Sequence, residues 1–198
     1  ILGVISLQNK DAFTGVHDFI LNRPGWLVFI MYFINRGAVV TQAMFYNCDH
    51  AMLTYNFYRD SNAIINLFKK RLVTIIKINL LPAVAMTIGY LILLSITGGS
   101  SIINYLALWL FIIILSVFFS VHYLVLYYLL QPYNKNLEMK SYSYTVVSLF
   151  TYFICYSFND MRISSLYFSV FGVIFTLIYI VIALKIVYNK APSTFRIK

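Results

Sequence analysis

Long apolar stretches alternate with short polar connections along this chain of 198 residues. A helix needs about 20 apolar residues to cross the roughly 30 Å of hydrocarbon in a bilayer. The stretches are continuously apolar, whereas membrane barrel strands alternate over about ten residues. We therefore expect an all-α transmembrane bundle with about five membrane-associated helices, at residues 25–45, 78–97, 102–130, 142–158 and 166–188.

The connections between these stretches carry turn signals. Residues 97–101, Thr-Gly-Gly-Ser-Ser, predict a short uncharged turn, and residues 159–164 predict a short polar link. Proline lacks an N–H and disfavours a helical residue before it. Gln131-Pro-Tyr-Asn134 is therefore expected to stop the third helix, and Ala191-Pro-Ser-Thr194 to end the last one.

Composition excludes a soluble domain. Hydrophobic residues make up 61% of the chain and charged residues 11%, against about 45–50% and about 25% in soluble domains. The chain begins at Ile1 without the pattern of a secretory signal. We interpret residues 1–198 as a single transmembrane domain, the C-terminal part of a longer protein.

The net charge of +9 is distributed unevenly. Eleven Lys and Arg residues lie in residues 47–77, in residues 131–141 and at the C-terminal end, whereas the two intervening loops contain only Arg162. Cytoplasmic loops of membrane proteins are enriched in Lys and Arg. The pattern predicts a multi-pass protein of the cell membrane with a cytoplasmic C-terminus. It favours membrane lipid, and not nucleic acid, as the partner of these cations.

Residues 47–72 form the most distinctive polar region. Residues 59–62, Arg-Asp-Ser-Asn, offer an N-cap for a new helix. After it, apolar residues occupy one broad face and polar residues the other, which predicts an amphipathic helix at the cytoplasmic membrane surface. The apolar set is Ile64, Ile65, Leu67, Phe68 and Leu72, and the polar set is Asn66, Lys69, Lys70 and Arg71. The segment is either a docking element for a cytosolic partner or a topology anchor.

Two polar residues fall inside apolar stretches. Arg36 either faces a polar pathway or extends its side chain to the inner headgroups. His122 is either a substrate or proton site or a hydrogen-bond partner of another helix. Asp49 and His50 have no accompanying nucleophile or metal ligand, and Cys48 and Cys155 are expected to stay unpaired. No P-loop is present, so we expect no catalytic, cofactor or metal residues and no enzyme activity in this chain.

Several runs resemble the membrane subunit of bacterial putative ABC-type exporters related to ABC-2 permeases. The resemblance covers roughly residues 23–198 and implies a permease that works with a separate cytosolic ATPase, and a second permease copy as a further partner. It also implies that the segment 47–72 contacts the ATPase, with Tyr55, Phe57, Tyr58, Arg59, Lys69, Lys70 and Arg71 as docking candidates. The runs are Met44-Phe-Tyr-Asn-Cys-Asp49, Leu53-Thr-Tyr-Asn-Phe-Tyr-Arg59, Leu67-Phe-Lys-Lys-Arg-Leu72, Ile78-Asn-Leu-Leu-Pro82, Gln131-Pro-Tyr-Asn134 and Ala191-Pro-Ser-Thr-Phe195.

Two functional hypotheses follow. The first is a permease subunit of an ATP-driven exporter, in which movement of the ATPase displaces the segment 47–72 and reorganises the helices. The alternative is a non-transport membrane scaffold or assembly protein whose helices simply pack.

Overall fold

The computed structural model describes residues 13–53, 55 and 60–196 of the chain. Within these residues helices are joined by short turns and irregular connections, and the one β-feature is an isolated bridge between Tyr133 and Met139. This confirms the all-α class. The helices are α1 (13–22), α2 (Gly25–Ile34), α3 (Gly37–Met44), α4 (Ser61–Ile96), α5 (Ile102–Leu130), α6 (Tyr142–Ser157) and α7 (Ser165–Thr194). A π-helical turn (Phe45–Asp49) and a short helix (His50–Met52) extend α3, and a 3-10 turn (Phe158–Asp160) follows α6.

Four helical segments are long and apolar enough to cross a membrane: Gly25–Met52, Ser61–Ile96, Ile102–Leu130 and Ser165–Thr194. The prediction of a multi-pass α-helical membrane protein is therefore confirmed. The remaining predicted stretch forms α6, which has 16 residues and a length of about 24 Å. It is shorter than the hydrocarbon core.

Helix α6 nevertheless connects opposite ends of the bundle. Helices α5 and α7 share the most extensive packing. Near one end, the Ser169 hydroxyl donates to the Ala107 carbonyl at 2.9 Å, and near the other, the rings of Tyr128 and Phe195 stack with centroids 4.3 Å apart. The residue numbers of the contacting pairs increase together along both helices, so α5 and α7 are parallel. The chain between them must therefore return along the bundle, and α6 makes that return.

The three basic segments meet at one end of the bundle, which we call the cationic end. The Tyr46 hydroxyl donates to the Leu137 carbonyl at 2.9 Å, and His50 Nε2 lies 3.1 Å from the Lys135 carbonyl. The Thr194 hydroxyl donates to the Tyr128 carbonyl at 3.1 Å. The grouping of these segments agrees with the topology predicted from their charge.

The interior contains two apolar clusters. One lies at the cationic end and includes Phe45, Phe68 and Tyr128, and the other lies towards the opposite end and includes Leu27, Leu108 and Phe168. At that opposite end, the loop after α4 turns through Gly98 and Gly99, whose φ angles of 126° and 70° are readily adopted only by glycine. The turn predicted at residues 97–101 is therefore present.

Several predicted boundaries need correction. Residues 63–72 do not form a separate helix, because α4 is continuous from Ser61 to Ile96. The first stretch is interrupted between α2 and α3. Helix α5 stops at Leu130 as predicted. Helix α7 ends at Thr194, within the segment 191–194 that was expected to end it, but it includes Pro192 instead of stopping before it. The complete burial of Ala191 and Phe195 offsets the hydrogen bond that proline removes.

Candidate functional site at the cationic end

A buried acidic residue lies where the first span ends. The π-helical turn Phe45–Asp49 contains one extra residue per hydrogen-bonded turn, and such turns are frequent at functional sites. Asp49 is fully buried, while the adjacent Cys48 is exposed. The turn thus directs a carboxylate into the bundle at its cationic end.

Arg71 of α4 meets this carboxylate with both terminal nitrogens. Arg71 Nη1 donates to Asp49 Oδ2 at 2.7 Å, and Nη2 donates to Asp49 Oδ1. Two tyrosines of α5 complete the group. The Tyr127 hydroxyl donates to Asp49 Oδ2 at 2.5 Å, and Arg71 Nη1 donates to the Tyr128 hydroxyl at 3.0 Å. We call Asp49, Arg71, Tyr127 and Tyr128 the inner cluster.

The inner cluster joins three parts of the bundle. Asp49 belongs to the first span, Arg71 to α4 and the two tyrosines to α5. Stacking of Phe195 on Tyr128 adds the end of α7. Removing one partner of a buried ion pair leaves an uncompensated charge, which is far more costly than exchanging both partners for apolar residues. The cluster therefore holds these elements in one relative position.

The loop between α5 and α6 closes the site from the side. Tyr133 is 1% exposed, and its ring stacks on Phe45 with centroids 4.8 Å apart. Burial raises the pKa of the Tyr133 phenol above its ordinary value of 10, so this side chain stays neutral. Glu138 is exposed in the same loop, and hydrogen bonds from Lys140 and Asn134 hold its pKa below the usual range.

The docking candidates divide into three groups. Tyr55, Lys69 and Lys70 are exposed. Phe57, Tyr58 and Arg59 lie outside the described residues. Arg71 was expected on the polar face of the helix, but it is 9% exposed and points into the bundle. The assignment of Arg71 to the polar face is therefore wrong. The ion pair with Asp49 compensates the charge of Arg71, and the sequence pattern of α4 alone does not reveal this partner.

The start of α4 borders a small groove next to the inner cluster. Asp60 caps the helix as the sequence indicates, because its Oδ2 accepts from the Ala63 N–H at 3.0 Å. The groove has a volume of about 220 Å³. Its walls come from the first span, the first turns of α4 and the C-terminal end: Met52, Ala63, Ile64, Asn66, Leu67, Lys70 and Phe195.

Arg36 lies at the interruption between α2 and α3. Its side chain is exposed, and its backbone N–H donates to Asn79 Oδ1 at 2.8 Å. Asn79 Nδ2 in turn donates to Ser120 Oγ at 2.8 Å, and Asn35 Oδ1 accepts from the Gly37 N–H at 2.7 Å. The break is therefore held by hydrogen bonds of the Asn35 and Asn79 side chains to its backbone, and the Asn79 side chain also bonds Ser120 of α5. Discontinuous helices of this kind form substrate and ion sites in many transporters.

His122 bonds two other helices. The Thr151 hydroxyl of α6 donates to the Val147 carbonyl, so His122 Nε2 donates to Thr151 Oγ1 at 3.1 Å. A neutral imidazole then accepts at its other nitrogen, and the Tyr179 hydroxyl of α7 lies 2.9 Å from His122 Nδ1. These contacts agree with the interpretation of His122 as a hydrogen-bond partner of other helices.

Sequence reasoning missed the inner cluster and the Asn79–Ser120 bond. Asp49 was weighed only as a partner of His50, but His50 bonds the Lys135 carbonyl while Asp49 bonds Arg71. One signal was available: Asp49 and Arg71 are opposite charges beside apolar stretches at the same predicted level. Within the described residues, no group of three His, Cys, Asp or Glu side chains is placed to hold a metal ion.

No protein family, no curated protein and no solved structure matches this chain. The fold defines its class as a multi-pass α-helical membrane protein.

Proposed function

We propose that this chain is the membrane-spanning permease subunit of an ATP-driven exporter, coupled to a separate cytosolic ATPase through the segment 47–72. The inner cluster is the observation that carries the proposal. It links the start of α4 to the first span and to α5 by an ion pair and tyrosine hydrogen bonds. A displacement of this segment would therefore be transmitted to membrane-spanning helices.

The outer face of the same helical turns has the chemistry of a docking surface. Lys69 and Lys70 are exposed beside the buried Arg71, and Asn66 is exposed one turn earlier. The groove lined by Leu67 and Ile64 lies between them and the C-terminal end. Partly buried apolar contacts with a polar rim are typical of protein interfaces. The partner surface is expected to present an apolar side chain to the groove and acidic residues to the lysines.

The topology expected from charge places this surface in the cytoplasm, where ATP is available. The same end of the bundle contains Lys135, Lys140 and Lys190 on neighbouring segments. The three basic segments contain eleven Lys and Arg residues and the two intervening loops contain one, which favours this orientation under the positive-inside rule. The predicted cell-membrane location and cytoplasmic C-terminus belong to this proposal.

The interruption at Asn35 and Arg36 supplies a candidate for the moving part. The Arg36 backbone N–H bonds Asn79 of α4, and Asn79 bonds Ser120 of α5, so hydrogen bonds between helices hold the interruption in place. Displacement of α4 at its cationic end would shift Asn79 on the same helix and change the contacts of the break. Alternating access by movement of helices around such a break is the mechanism that we propose.

Co-purification tests the coupling. The full-length protein is isolated from its native membranes in mild detergent, and the ATP hydrolysis that remains with it is measured. A paired charge reversal, K69E with K70E, is expected to lower the retained hydrolysis at least tenfold while the protein inserts normally. K190E is the matched control, because Lys190 is an exposed cation at the same end but outside the segment.

A non-transport scaffold is the second candidate. One observation favours it: interior polar side chains bond one another across helices, as His122 does with Thr151 and Tyr179. Such bonds also hold static bundles together. If the wild-type protein retains no ATPase, or if K69E with K70E retains as much as K190E, the exporter proposal fails and the scaffold is favoured.

A further inference from the structure

A cavity of about 270 Å³ lies between α5, α6 and α7, away from the cationic end. Helix α7 packs against α5, and α6 packs mainly against α2, so a gap remains between α6 and α7. An engineered apolar cavity of about 150 Å³ already binds benzene. This cavity is large enough for a longer apolar guest.

The walls are strongly apolar. Six phenylalanines line the cavity, and its polar side chains are few. His122, at one end, satisfies both ring nitrogens with Thr151 and Tyr179. Those hydrogen bonds leave the imidazole without a free donor or acceptor for a ligand. The lining therefore fits a hydrocarbon chain and not a polar solute.

The shape of the cavity follows the helix axes. Its lining runs from Phe111 to His122 on α5 and from Phe168 to Tyr179 on α7, which corresponds to roughly 16 Å at the rise of an α-helix. Half of a hydrocarbon core of roughly 30 Å is about the same length. The cavity matches one acyl chain of one leaflet in length and in direction.

The mouth opens sideways from membrane-spanning helices. Ile154, Phe171 and Phe175 line the cavity and are also 43%, 59% and 48% exposed. Phe171 and Phe175 lie on α7, one of the four segments able to span the membrane. Their exposed faces are thus in contact with hydrocarbon when the protein is in a bilayer. Bilayer lipid has direct access to the cavity.

We propose that this cavity binds one acyl chain of a bilayer phospholipid, inserted laterally between α6 and α7. His122 with its two hydrogen-bond partners closes the end nearer the cationic end. Phe111, Phe158 and Phe168 form the other end, where rings contact at 5.1 and 5.8 Å between centroids. The headgroup remains at the membrane surface, outside the protein. This site is separate from the inner cluster and does not depend on the exporter proposal.

Lipid retention tests the site by mutation. Native mass spectrometry of the full-length protein in mild detergent is expected to show one retained phospholipid. C155F places a ring in the cavity, because Cys155 is buried in its wall, and should lower that retention at least fivefold. V170F is the matched control: Val170 is 52% exposed on α7 and is not part of the lining. Equal retention by C155F and V170F would overturn the proposal.

Photolabelling of the wild-type protein avoids any effect of C155F on folding. The protein is reconstituted in vesicles that contain a phospholipid with a diazirine in the middle of one acyl chain. Labelled peptides are expected at residues 154–158 and 171–179, at least fivefold above exposed lipid-facing positions such as Ile88 and Val181. Even labelling of all lipid-facing helices would refute the site. Labelling only by a free fatty acid carrying the same diazirine would refute a bilayer phospholipid as the source.

Discussion

Asp49 and Arg71 have environments that their sequence neighbours do not suggest. Asp49 follows an exposed cysteine, and Arg71 follows two exposed lysines. Both become buried because each supplies the charge and hydrogen bonds that the other needs. The Tyr127 hydroxyl adds a second hydrogen bond to Asp49 Oδ2, and the Tyr128 hydroxyl accepts a second one from Arg71 Nη1. At the scale of single residues, the stability of the cationic end depends on completing this group.

Breaking the pair on one side should be strongly destabilising. We expect D49A and R71A each to lower the free energy of unfolding by about 3–5 kcal/mol, because each leaves a buried charge unpaired. The double variant D49L with R71M should lose less than the sum of the two single changes. Denaturant unfolding in detergent micelles measures all three.

A surface pair provides the control for that experiment. Lys140 Nζ lies 2.7 Å from Glu138 Oε2, but both side chains are exposed. Exposed ion pairs contribute little in water, so K140A should leave the unfolding transition unchanged. A loss in D49A or R71A no larger than that in K140A would contradict the structural role of the inner cluster.

At the scale of elements, close backbone contact fixes where α2 meets the end of α6. A Cβ atom on Gly25 would collide with the carbonyl oxygen of Phe158, which belongs to the 3-10 turn. Gly89, in the interior of α4, has open space around its Cα. Two glycines in apolar helices therefore have opposite requirements, and only the packing distinguishes them.

Alanine at these two positions should move stability in opposite directions. G25A is expected to lower the free energy of unfolding by about 1–3 kcal/mol, because the added methyl group forces the backbone of α2 away from Phe158. G89A should raise it by about 0.5–1 kcal/mol, because alanine favours the helix. Thermal unfolding in detergent, followed by circular dichroism, compares both with the wild-type protein. Equal effects of the two changes would refute the contact at Gly25.

At the scale of the whole molecule, the bundle has two chemically different ends. Exposed Lys69, Lys70 and Lys190 lie at the cationic end. The turn at Gly98 and Gly99 lies at the opposite end, where the Gly99 carbonyl is 2.7 Å from His17 Nε2. The arrangement pairs loops that are far apart in sequence on the same side of the membrane.

Cysteine labelling can test that pairing in intact cells. In a background with Cys48 and Cys155 replaced, single cysteines at Ser100 and Asn159 should react with a membrane-impermeant maleimide added outside. Cysteines at Asn136 and Ser193 should react only after permeabilisation. Labelling of all four from the same side would show that the helices do not cross as the bundle requires.

The sequence determined the membrane class, the approximate helices and the grouping of the basic segments. These properties follow from sums over neighbouring residues: apolar length sets whether a helix spans, and loop cations set which ends lie together. Local chemistry also indicated an N-cap within residues 59–62, which the structure assigns to Asp60, and the stop before Pro132, since both depend on residues within one turn.

Only the tertiary structure decided the inner cluster, the direction of Arg71 and the lateral cavity. Asp49 contacts Arg71 across 22 positions and Tyr127 across 78. Such contacts depend on the rotation of each helix about its axis, and the broad apolar surfaces of membrane helices leave that rotation open. Packing between helices fixes the rotation, and with it which polar side chains meet and where a gap for an acyl chain remains.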